Sequence, residues 1–146
     1  MSALYEAVPD LLRRFSATPH VANVVAEGIA LTLQTNDLQI IAAAQGIVSG
    51  GIDLDGHPSI LVRVVRDDDA AANNSEIVVI SAWPLVTLLA GAGTMLALDG
   101  QRHEILGFLS SAVSAEQFVN ELLPILLRRF RSGTIQKRRA LAPGTI

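Results

Sequence analysis

Apolar residues recur along this chain in two rhythms, one helical and one extended. The helical one is plainest near the C-terminus, where Phe118, Val119, Leu122, Leu123, Leu126 and Phe130 fall within one broad face at 100° per residue. Ser114 with Gln117 forms a capping box ahead of them, and Val113 with Phe118 has the spacing of a hydrophobic staple. Burying such side chains is worth about 1.5–3 kcal/mol each, against about 1 kcal/mol for the cap, so packing decides this helix. It is predicted over Ser114–Arg131, with a kink at Pro124 and a stop at Gly133. An opening helix is predicted over Ala3–Phe15, capped by Ser2 and interrupted or restarted at Pro9.

The extended rhythm begins at Gly28. Ile29, Leu31 and Leu33 alternate with Ala30, Thr32 and Gln34, the pattern of a half-buried strand. The stretch before it, with Val21, Val24 and Val25, suits a strand or a short helix between Pro19 and Gly28. After Asn36-Asp37, Leu38–Ala44 reads as a returning strand, although Asn36 with Gln39 also resembles a capping box. Ile52-Asp53-Leu54 and Ile60–Val65 flank the turn residues Asp55-Gly56-His57-Pro58 as a hairpin. Ile77–Ala82 is a buried strand, Pro84–Ala90 one or two helical turns opened by Pro84, and Met95–Leu98 with Glu104–Leu109 a hairpin about Asp99-Gly100. The fold class is therefore α+β: a mostly antiparallel sheet flanked by N- and C-terminal amphipathic helices.

The two terminal helices echo one another. Glu6-x-x-Pro9-x-Leu11-Leu12-Arg13-Arg14-Phe15 recurs as Glu121-x-x-Pro124-x-Leu126-Leu127-Arg128-Arg129-Phe130. Shared helix composition accounts for this; the alternative is that both helices present equivalent faces to one surface or across a dimer axis.

Composition narrows the class. The 146 residues, half of them apolar, suit one domain over residues 1–133 with a real core, followed by a basic tail over residues 134–146. With no cysteine, disulfides, thiolate metal sites and thiol nucleophiles are excluded. No secretory signal is visible at the N-terminus, which makes the cytoplasm the expected location. No charge falls within Ile77–Leu98, a run of 22 residues long enough to span a bilayer. Its β-branched start, Trp83-Pro84, Gly91 and Gly93 argue for two short elements instead. Through Leu127 five basic side chains face fourteen acidic ones, a balance of −9, and six bases with no acid beyond it restore the total to −3. Arg128, Arg129 and Arg131 are read as cations at a helix C-terminus, which leaves Lys137-Arg138-Arg139 too short to argue for nucleic acid.

Candidate chemistry is sparse. His20, His57 and His103 do not form a metal-ligand spacing, and Asp53-x-Asp55-x-His57 reads as a polar turn before it reads as a metal site. On a strand His103 and Glu104 point to opposite faces, so they do not form an acid/base pair. No nucleophile elbow, dinucleotide fingerprint or phosphate-binding lysine is present. No catalytic residue and no cofactor are assigned.

Ala92–Gly100, the return strand through Leu109 and the helix opened by Ser114-Ala115-Glu116-Gln117-Phe118 together resemble class I type III secretion chaperones of the Tir-chaperone kind and the related YbjN-like domains. The start of the chain is compatible, with a helix followed by Gly28–Thr35 and Leu38–Ala44 as paired strands. Residues 46–74 are longer than that pattern and the central helix is shorter. The resemblance implies a homodimer without cofactor that holds an extended client polypeptide along grooves and sheet edges, with Ile29, Leu31 and Leu33 as candidate groove residues. The alternative is a small-molecule-binding domain or small enzyme with a pocket among the strands.

Overall fold

Seven strands form one mixed sheet in the computed structural model, which describes residues 17–46, 58–66, 76–91 and 93–141, with side chains as far as Gly133. In chain order the elements are β1 (His20–Ala26), β2 (Ile29–Thr35), α1 (Leu38–Gln45), β3 (Ser59–Arg66), β4 (Ile77–Ala82), β5 (Leu85–Ala90), β6 (Met95–Asp99) and β7 (Glu104–Leu109). A closing helix follows: α2 (Ala115–Gln117), a π-helical turn (Phe118–Leu122) and α3 (Leu123–Leu141). The strands lie in the order β1-β2-β3-β7-β6-β5-β4. The pairs β2–β3 and β3–β7 are parallel and the other four antiparallel, so the sheet is more mixed than expected. The opening helix expected at Ala3–Phe15 lies outside the described residues.

Two elements differ from expectation. Leu38–Gln45 is a helix, not a strand paired with β2. Asp37, not Asn36, caps it: its backbone is extended and its Oδ1 accepts the Gln39 N–H at 2.9 Å. The buried positions Ile40, Ile41 and Ala44 share one face only in a helix; in a strand adjacent residues would part to opposite faces. The expected helical turn at Pro84–Ala90 is instead strand β5, zipped to β4 from Ile77↔Ala90 to Ala82↔Leu85. Val86, Leu88 and Ala90 are buried, but the alternation is hidden because their neighbours Leu85 and Leu89 are apolar too. The hairpin expected between Ile52–Leu54 and β3 has its first arm outside the described residues, and β2 and β7 occupy both edges of β3.

One face of the sheet carries the core. Leu31, Ile60, Val62, Ile105, Leu98, Leu96 and Leu88 are all at most 2% exposed, packed with α1 and the closing helix. Ser114 starts that helix as expected, its Oγ accepting the Gln117 N–H at 3.0 Å. The break expected from Pro124 takes the form of the π turn, in which the Leu123 N–H reaches back five residues to the Phe118 carbonyl. Proline has no N–H and its ring crowds the carbonyl four residues earlier, so a wider turn just before it gives the ring room.

Gly133 does not end the helix, which continues to Leu141. A side chain at Gly133 would meet the Trp83 indole at 2.2 Å, and one at Gly100 would meet the other end of the same ring at 2.4 Å. The indole is thus lodged between two glycines and tilts against Phe130 at a centroid distance of 6.4 Å. Since α3 continues past them, Arg128 and Arg131 are not at its C-terminus. They reach the β1–β2 turn, where Arg128 pairs with the Glu27 carboxylate at 3.1 Å and Arg131 donates to the Glu27 carbonyl at 3.0 Å.

Helix propensity alone would make Gly133→Ala stabilising by about 1 kcal/mol. The contact with Trp83 reverses the sign: the substitution is expected to destabilise by about 1–3 kcal/mol. Urea denaturation measures this, and the loss should shrink when Gly133→Ala is placed on Trp83→Ala.

Candidate functional site

Both described helices pack on one face of the sheet, and no described element covers the other. That second face is not polar. The register lines up Val65, Phe108, Met95, Leu89 and Val78 as one apolar row across β3, β7, β6, β5 and β4. Polar groups hold the ends of the face: Asn23 accepts from Thr32 at 3.1 Å, and Asp99 Oδ1 accepts the N–H groups of Gln101 and Arg102.

The row runs out to β4, an edge strand among the described residues. Its sequence Ile-Val-Val-Ile-Ser-Ala contains no charge and no proline, and its six pairings with β5 are consecutive, with no bulge. These are the devices by which proteins usually guard a sheet edge. Ile77 and Val79 pack against the core, while Val78 and Ile80 stand 42% and 55% exposed beside Leu85 at 52%. Alternate residues of an edge strand turn their N–H and C=O outward. The site therefore offers backbone pairing along a line and apolar contacts beside it, which suits an extended polypeptide.

The residues singled out from sequence lie elsewhere. Ile29, Leu31 and Leu33 are on β2 with at most 1% exposure, beneath the helices. Asp53, Asp55 and His57 lie outside the described residues. His103 is in the β6–β7 turn, edge-on to Phe130 at 5.1 Å, while Glu104 pairs with Asp99. Among the described residues no three His, Asp or Glu side chains converge as a metal site, and no helix is long and apolar enough to cross a membrane. The uncharged run Ile77–Leu98 supplies β4, β5 and most of β6. Its lack of charge marked it in the sequence, but its place at a sheet edge depends on pairings distant in sequence.

A polar cleft lined by His20, Asn36, Asp37, Leu38, Gln39 and Arg66 is one alternative location. Its guanidinium is committed to structure. Arg66 Nε donates to Asp37 Oδ2 at 3.0 Å, and Nη1 donates to the carbonyls of Ser110, at 2.7 Å, and Val113. The Asn36 amide closes the end of β3 by bonding both the N–H and the C=O of Arg66. This junction ties β3, the cap of α1 and the entry to the closing helix together. A lysine ammonium cannot reproduce that fork, so Arg66→Lys is expected to cost about 1.5–3 kcal/mol of stability, read from the urea midpoint.

Compared with protein-family models, curated proteins and solved structures, the chain matches none.

Proposed function

We propose that this is a non-enzymatic protein-binding domain that holds an extended segment of a client polypeptide along β4, in the manner of the secretion chaperones its sequence resembles. The observation that carries this is the edge of β4, which among the described residues has no strand beyond it and holds no charge, proline or bulge, with Val78 and Ile80 exposed beside it. An added strand gains main-chain hydrogen bonds, and alternate side chains reach the apolar row. Charge supplies the selectivity: residues 67–76, which lead into β4, contain four acids and no base, so an apolar segment with basic flanks is favoured. Binding of this kind is an equilibrium that requires no cofactor.

A short peptide with alternating valines and isoleucines and lysines at both ends is a direct probe. Its addition is expected to slow amide exchange in Ile77–Ala82. Ile80→Lys, which installs a natural edge guard, is expected to weaken binding by about tenfold, or about 1.4 kcal/mol, without lowering the melting temperature. Binding that protects β1 instead, or that ignores the substitution, would sink the reading. Self-association abolished by Ile80→Lys, with no peptide binding, would assign the edge to a second copy.

A further inference from the structure

We propose that β4 selects client segments that are apolar on both sides, the kind that form central strands in a client's own fold, over segments apolar on one side only. This rests on the binding of clients along β4 and specifies what that edge accepts.

The ladder decides which backbone groups face outward. The Ala90 N–H donates to the Thr94 carbonyl at 3.2 Å, on the β6 side of β5. In an antiparallel ladder, opposed residues either exchange both hydrogen bonds or turn their polar groups away from each other. Ile77, opposite Ala90, therefore turns its N–H and C=O out of the sheet. Val79 and Ser81 follow with the period of two. A strand added at β4 bonds to these three residues.

Side chains obey the same alternation. Ile77 and Val79 pack against the core, so client side chains opposite them lie on the helix-covered side. The client residues in between point to the second face, beside Val78 and Ile80.

Neither side of β4 is finished by the described residues. On the helix-covered side Val86, Leu88 and Ala90 of β5 are buried, whereas Ile77 and Val79, one strand further out, are only partly buried. The other edge of the sheet differs: Ala22 and Val24 of β1 are buried there, with α1 packed over the strand. The core is closed at β1 and left open at β4. On the second face Val78 and Ile80 are exposed. Four consecutive residues, Ile77–Ile80, thus present uncovered apolar surface alternately to the two sides.

A client apolar on one side alone sets polar side chains against Ile77 and Val79 or, shifted by one residue, against Val78 and Ile80. Four consecutive apolar residues match both pairs at once. Ser81, the one polar residue of β4 and an exposed one, suits a hydroxyl side chain opposite it. Strands covered on both faces read as continuous apolar runs, whereas strands with one wet face alternate. A folded client hides the continuous run, so this edge sorts unfolded chains from the amphipathic strands of folded surfaces.

Two peptides of equal length with lysines at both ends separate the cases, one built on Val-Ile-Val-Ile and the other on Val-Thr-Val-Thr. The first is expected to bind the unaltered protein at least about tenfold more tightly by calorimetric titration, and both are expected to slow amide exchange in Ile77–Ala82. Val78→Thr and Val79→Thr, each checked for an unchanged melting temperature, are expected to weaken the first peptide by about threefold. Equal affinities for the two peptides with Ile77–Ala82 protected, or weakening by Val78→Thr alone, overturn the two-sided selection and leave binding along β4 standing. Protection of Ile77–Ala82 by neither peptide overturns both.

Discussion

The Trp83 indole, wedged between Gly100 and Gly133, is the constraint from which the rest of the architecture follows. It joins three parts distant in sequence: the β4–β5 turn, the β6–β7 turn and the far half of the closing helix. Gly100 adds a hydrogen bond to the Pro84 carbonyl at 2.8 Å. At the helix's other end Arg66 binds the carbonyls just before Ser114. With both ends held, the helix has one crossing of the sheet open to it. Its large side chains, Phe118 and Phe130 among them, then complete the core with no exposure above 1%.

That arrangement leaves a sheet with two apolar faces and helices described on only one. In an antiparallel sheet open to water on one side, alternate positions are usually polar. Here the second face mixes Leu61, Val65, Leu85, Leu89, Leu106 and Phe108 with Arg63, Thr87 and Glu104, so β3, β5 and β7 each carry apolar side chains on both sides. The same composition makes β4 a good strand and, among the described residues, an edge without charge, proline or bulge. The exposed apolar side chains at that edge and the apolar row on the second face share one source, the absence of charge from Ile77–Leu98.

The legible parts of the fold were those set by local chemistry. Ser114 and Gln117 located the helix start because a cap involves residues three apart, and Asp99-Gly100 marked a hairpin because its strands are neighbours in sequence. Leu85–Ala90 misled because a uniformly apolar run carries no period, and Pro84 suits the start of a helix as well as a turn. Leu38–Gln45 was ambiguous because Asn36 looks like a cap but binds the backbone of Arg66, thirty residues away. Gly133 looked like a helix stop because its real role depends on Trp83, fifty residues earlier. For the candidate site, the lack of charge in Ile77–Ala82 was visible. Its position at the edge was not, since that depends on β7 pairing with β3 and not with β4.

The π turn at Phe118–Leu122 also sets the phase of the helix. The buried residues repeat every fourth position: Phe118, Leu122, Leu126 and Phe130 in one line, and Val119, Leu123 and Leu127 in another. A step of four overshoots a full α-turn by about 40°, so in a regular helix each line would drift obliquely across the broad apolar face. A turn closed across five residues falls behind instead and offsets much of that drift. The turn therefore behaves as one additional residue carried in frame. Without it, everything beyond would rotate by about 100°, and Gly133 would no longer face the indole it accommodates.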